Sequence, residues 1–116
     1  MKNWIVPEFQ RSIIKHTLEE VRIACDFSDK VTPYFGRITS ASFSAKKWQL
    51  SDPSAKSDGS DILKGESIQI EEPYQTQAKV VLVGGDAEHD YQITCIAETE
   101  DGQKFQQDFF VRVKEL

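Results

Sequence analysis

Tyr91-Gln92-Ile93-Thr94-Cys95-Ile96-Ala97-Glu98-Thr99-Glu100-Asp101-Gly102-Gln103-Lys104-Phe105-Gln106-Gln107-Asp108-Phe109-Phe110-Val111-Arg112-Val113 is the stretch whose reading decides the fold. Tyr91, Ile93, Cys95 and Ala97 alternate with Gln92, Thr94 and Glu98, and Phe109, Val111 and Val113 alternate with Asp108, Phe110 and Arg112. A period of two puts successive side chains on opposite faces, the mark of half-buried strands. Between the two runs stands Asp101-Gly102. Gly accepts the positive φ that a tight turn requires and Asp tolerates the position before it, so the pair predicts a β-hairpin.

The same period extends upstream. Val21, Ile23, Cys25 and Phe27 alternate with Arg22, Ala24, Asp26 and Ser28; Ala41, Phe43 and Ala45 alternate with Ser42, Ser44 and Lys46; Ile68 and Ile70 are flanked by Ser67, Gln69 and Glu71. The run Val80 to Val83, closed by Gly84-Gly85, predicts a strand covered on both faces. No amphipathic helix interrupts these six segments, so the expectation is an all-β antiparallel sandwich of about six to seven strands. Tyr91 opens its strand just after the Gly-Gly turn, which suits a hydroxyl bonding back to the corner backbone, or a plain cross-strand aromatic. Ser51 to Glu66 is rich in Ser, Asp, Gly and Lys and is expected to be a long, mobile loop. Residues 1–18 form an N-terminal arm ahead of a single domain at 19–116. Pro7 could open a helical turn with Phe9 and Ile13 on one face, or the arm could run extended along a sheet edge.

Composition bounds the function. The chain has 116 residues, 39% hydrophobic and 28% charged, enough for one modest core. It carries a net charge of −5, and no basic cluster exceeds Lys46-Lys47, which argues against nucleic acid as a partner. Residues 1–60 hold nine Lys+Arg against seven Asp+Glu, and residues 61–116 five against twelve. That asymmetry could orient the protein on a charged neighbour. No apolar run approaches membrane-spanning length and the N-terminus lacks the pattern of a signal peptide. The expected location is therefore the cytosol until the protein is used.

The chemistry-bearing residues do not assemble into a reaction centre. His16 and His89 lack partners at zinc-ligand spacing, no serine stands in a GxSxG context, and no Gly-rich loop precedes a helix. Neither an enzyme, a cofactor nor a small-molecule substrate is expected. Asp86, Glu88 and Asp90 flank one end of a strand and Glu98, Glu100 and Asp101 the other, too far apart to share one calcium ion, and read best as solvated turn carboxylates. Cys25 and Cys95 lie on two different strands, either bridged between sheets or buried as free thiols; a reducing compartment favours the thiols. Trp48, 23 residues beyond Cys25, is a poor match for the tryptophan that packs on such a bridge. Aromatic and apolar residues in the arm, in loops or on an outward strand position remain. Trp4, Phe9, Ile13, Tyr34, Phe35 and Phe110 are the candidates for partner binding.

Across residues 19–116 the chain resembles a group of short phage and prophage virion proteins of the tail or fibre-tail adaptor type, built on an immunoglobulin-like sandwich. The residues that carry the likeness are Glu20-Val21, then Asp26-Phe27-Ser28-Asp29, then Ile38-Thr39-Ser40-Ala41-Ser42-Phe43. Val80-Val81-Leu82-Val83-Gly84-Gly85, Tyr91, Asp101-Gly102 and Val111-Arg112-Val113 complete the pattern. The resemblance implies an immunoglobulin-like (fibronectin-like) fold and a non-enzymatic structural or adaptor protein of the tail or head-tail region. It would bind other virion proteins or copies of itself, in the host cytoplasm during assembly and then in the virion. The alternative is an immunoglobulin-like module of a secreted or surface adhesion protein.

Overall fold

The computed structural model describes residues 4–7, 12–31, 36–65, 67–70 and 74–115. Eight strands are found among them: β1 (Ser12–His16), β2 (Val21–Asp26), β3 (Ile38–Gln49), β4 (Asp52–Asp58), β5 (Gln69–Ile70), β6 (Gln77–Leu82), β7 (His89–Thr99) and β8 (Lys104–Lys114). They form a five-stranded sheet in the order β1-β8-β7-β3-β4 and a three-stranded sheet in the order β2-β6-β5. The protein is all-β, and its apolar core lies between the two sheets.

The core follows from the alternation. Tyr91, Ile93, Cys95 and Ala97 of β7 and Phe109, Val111 and Val113 of β8 are buried, and their sheet neighbours in sequence face outward. Ile23 and Cys25 of β2 and Ala78, Val80 and Leu82 of β6 are buried from the other sheet. The β7–β8 hairpin pairs from His89↔Val113 to Glu98↔Lys104. Gly102 at its turn has φ +85°, and the N–H of Thr99 donates to the carbonyl of Gln103 at 2.9 Å.

Two expectations are corrected. Ser51 to Glu66 is not a structureless loop. It holds strand β4, a 3-10 turn at Ser60–Ile62 and a bridge from Leu63 to Leu82, with Glu66 outside the described residues. All seven β4 side chains are exposed, so no apolar face announced the strand. Second, Val80 to Val83 is not covered on both faces. Val80 and Leu82 are buried, whereas Val81 and Val83 are half-buried. Of the two alternatives for the arm, Ile13 takes the extended one along a sheet edge, paired in parallel with Val111 in β1.

The N-terminal stretch touches both sheets. Ile5 forms a parallel bridge with Ile23, its N–H donating to the carbonyl of Arg22 at 2.8 Å and its carbonyl accepting from Ala24 at 2.9 Å. Five residues past Pro7 the chain resumes as β1 on the edge of the opposite sheet. At the other edge, β4 meets β3 through an irregular register: Lys47 pairs with Ser57 and Gln49 with Asp52, so β4 carries the extra residues as a bulge. Pro53, Lys56 and this bulge are devices that discourage a foreign strand from adding there.

Candidate interaction surface

At one end of the sandwich Tyr91, Asp61, Asp86 and Lys47 form a closed polar network. The Tyr91 hydroxyl accepts from the backbone N–H of Asp86 at 2.8 Å and donates to Asp61 Oδ2 at 3.0 Å. The first of these is the corner bond the sequence suggested. Lys47 Nζ reaches Asp86 at 2.7 Å and Asp61 at 3.3 Å. Burial, opposed by the bond from Asp86 N–H and aided by the neighbouring carboxylates, pushes the Tyr91 hydroxyl up to about 12. The hydrogen bond to Asp86 holds the Lys47 ammonium above its ordinary range, and the same bond holds the Asp86 carboxyl below its own. Gly59 is required here. A Cβ would stand 2.9 Å from the backbone carbon of Lys46 and 3.0 Å from the Tyr91 ring.

Three of the turn carboxylates, Asp86, Asp90 and Glu100, are engaged with cations of the chain. Asp86 is held by Lys47, and Asp90 receives Arg112 through Nε at 2.9 Å and Nη2 at 3.1 Å. That bidentate contact keeps the Arg112 guanidinium firmly protonated. Arg37 pairs with Glu100 at 3.2 Å. Lys47 and Arg37 belong to the basic half of the sequence and their partners to the acidic half. The charge asymmetry is thus partly consumed inside the fold.

Cys25 and Cys95 are both fully buried, on opposite sheets, and are not bonded to each other. The hydrogen bond with Cys95, together with burial, pushes the Cys25 thiol up, away from the reactive thiolate. Trp48 takes no part in that contact. It carries the ammonium of Lys56 at 5.1 Å from its ring centroid, on the outward side of β3.

Of the six residues read as partner-binding, Phe9, Tyr34 and Phe35 lie outside the described residues. The other three divide. Trp4 is half-buried, with the Lys79 ammonium 4.9 Å from its ring centroid. Ile13 packs against the core. Phe110 points outward, 38% exposed, between Ser12 of β1 and Gln92 of β7 in the register. Two further apolar residues on that outer face were missed: Ile14, 60% exposed, and Ile96, 38% exposed. The signal for Ile96 was present, because it is the outward apolar residue in the otherwise polar outer row of β7. For Ile14 it was not, because Ile13-Ile14 gives no phase from sequence. Phe110, Ile14 and Ile96 therefore put the exposed apolar positions of the five-stranded sheet on β1, β8 and β7.

Exposed apolar side chains also stand away from this face, at Ile5, Val6, Leu18, Ile68 and Tyr74. A hollow of about 450 Å³ lies along the outer face between β3 and β4, lined by Ser44, Lys46, Lys56 and Asp58 among others. Among the described residues no group of three or more His, Cys, Asp and Glu is placed to hold a metal ion, and no helix is long and apolar enough to cross a membrane.

Comparison with curated proteins returns no match. A family model described as podophage GP4 fiber-tail adaptor protein gp77 matches residues 15–112. That span runs from within β1 to within β8, so the match covers both sheets and the network around Tyr91. The chain belongs to the family of the podophage GP4 fiber-tail adaptor protein gp77, structural adaptors of the phage tail.

Proposed function

We propose that this protein is a non-enzymatic adaptor that works by protein–protein binding, holding a neighbouring virion protein to the tail through the outer face of its five-stranded sheet. The observation that carries the reading is the family match over 15–112. Phe110, Ile14 and Ile96 are the exposed apolar positions that suit the contact. β1, the strand at Ser12–His16 of the arm, frames that face on one side, because it borders β8. We further read the domain at 19–116 as immunoglobulin-like. Its support is the strand order, with β2-β6-β5 packed on β8-β7-β3-β4, and the Tyr91 corner bond. The protein assembles in the host cytoplasm and remains in the virion, with other virion proteins or copies of itself as partners.

Deleting the gene from its phage tests the adaptor role. Particles should form with filled heads but without fibres, and a plasmid copy should restore them. Normal fibres and normal infectivity without the protein would overturn the reading.

A further inference from the structure

We propose that β1 is a releasable strap on the five-stranded sheet, its hold weakened because its second inward position is filled by a buried ammonium instead of an apolar side chain. The inference stands apart from the adaptor reading and concerns the fold alone. Of the five β1 residues, Ser12 and Ile14 are exposed, and only Ile13 places an apolar side chain against the core. The second inward position is Lys15, which is 0% exposed. Its Nζ donates to the carbonyl of Gly84 at 2.5 Å and to that of His16 at 2.9 Å.

An ammonium taken out of water loses hydration that two neutral carbonyls only partly replace. Lys15 has no carboxylate within ion-pair distance among the described residues. The nearest carboxylate influence comes from Glu19, whose Oε1 already accepts the His16 N–H at 2.7 Å. Burial accordingly pulls the Lys15 ammonium below its ordinary range, against the opposing pull of Glu19. Opening β1 about the turn at Thr17–Glu20 would return the ammonium to water and cost little apolar burial. The strand pairs in parallel, the slightly weaker ladder, and over five residues only. Release would bare the backbone edge of β8 from Phe110 to Lys114, the partners of β1 in the register.

Hydrogen exchange on the full chain tests this. Amides of β1 should exchange at least about tenfold faster than those of β7, as expected of a segment that opens by itself. Lys15→Met keeps the aliphatic stem and removes the charge, and it leaves the Gly84 carbonyl, on an exposed residue, to water. That variant should slow β1 exchange by about tenfold or more while leaving β7 unchanged. Protection of β1 equal to that of β7 in the unaltered protein would overturn the proposal. So would a Lys15→Met variant whose β1 exchanges as fast as before or faster, or one that fails to fold, since the ammonium would then be what holds the strand.

Discussion

The hydroxyl of Tyr91 holds two segments that the strands themselves do not: the turn at Asp86 and the 3-10 turn at Asp61. Tyr91→Phe keeps the ring in the core but orphans the Asp86 N–H and removes a bond to Asp61. A loss of about 1–3 kcal/mol is expected, the cost of unsatisfied part-buried groups. The proton adds a pH signature. Its value in the folded protein, about 12, stands above the ordinary 10.0 of tyrosine. The stability it confers is complete below pH 10 and is lost as pH rises from there through 12. Absorbance titration should show one late tyrosine phase near 12 that Tyr91→Phe removes. A variant that keeps the late phase would place the buried hydroxyl elsewhere. The sequence made this residue legible because Tyr91 follows a Gly-Gly turn at a strand start. It did not reveal Asp61, Lys47 or the need for Gly59, because those depend on a turn 30 residues away in the chain.

Among the elements, those with one apolar and one polar face were readable, and those without were not. β2, β3, β7 and β8 each alternate, β6 stood out as a short apolar run, and the structure places strands at all five. β4 has no buried face and a composition of Ser, Asp, Lys and Pro, so nothing in its sequence separates it from a loop. What makes it a strand is pairing with β3, a tertiary fact. β1 was ambiguous for another reason: its inward row contains a lysine, which breaks the period that would have marked it. The β7–β8 hairpin is the element that tests the reading most simply. Gly102 has φ +85° and open space around it, so a side chain there is opposed by backbone conformation alone. Gly102→Val should lower stability by about 1–3 kcal/mol, since a β-branched residue resists positive φ. A thermal melt with an unchanged midpoint would show that the turn does not depend on that conformation.

At the scale of the whole molecule, the fold disposes of most chemistry-bearing groups internally. The thiols face each other in the core, and the carboxylates of Asp61, Asp86, Asp90 and Glu100 are matched to Lys47, Arg112 and Arg37. One sheet edge is blunted by a bulge and the other is occupied by β1. On the five-stranded sheet, the large apolar side chains left exposed are a small group on β1, β8 and β7, part of which the sequence revealed through the phase of Phe110 against Phe109 and Val111. In the adaptor reading proposed above, that group is where a virion partner binds. A cryo-EM map of the intact phage tail tests this account most directly. It should contain density fitted by the two-sheet sandwich at the junction of tail and fibre, with the face bearing Ile14, Ile96 and Phe110 against a neighbouring chain. A map in which the sandwich stands at that junction with this face open to solvent, or in which it is missing from the tail, would contradict it.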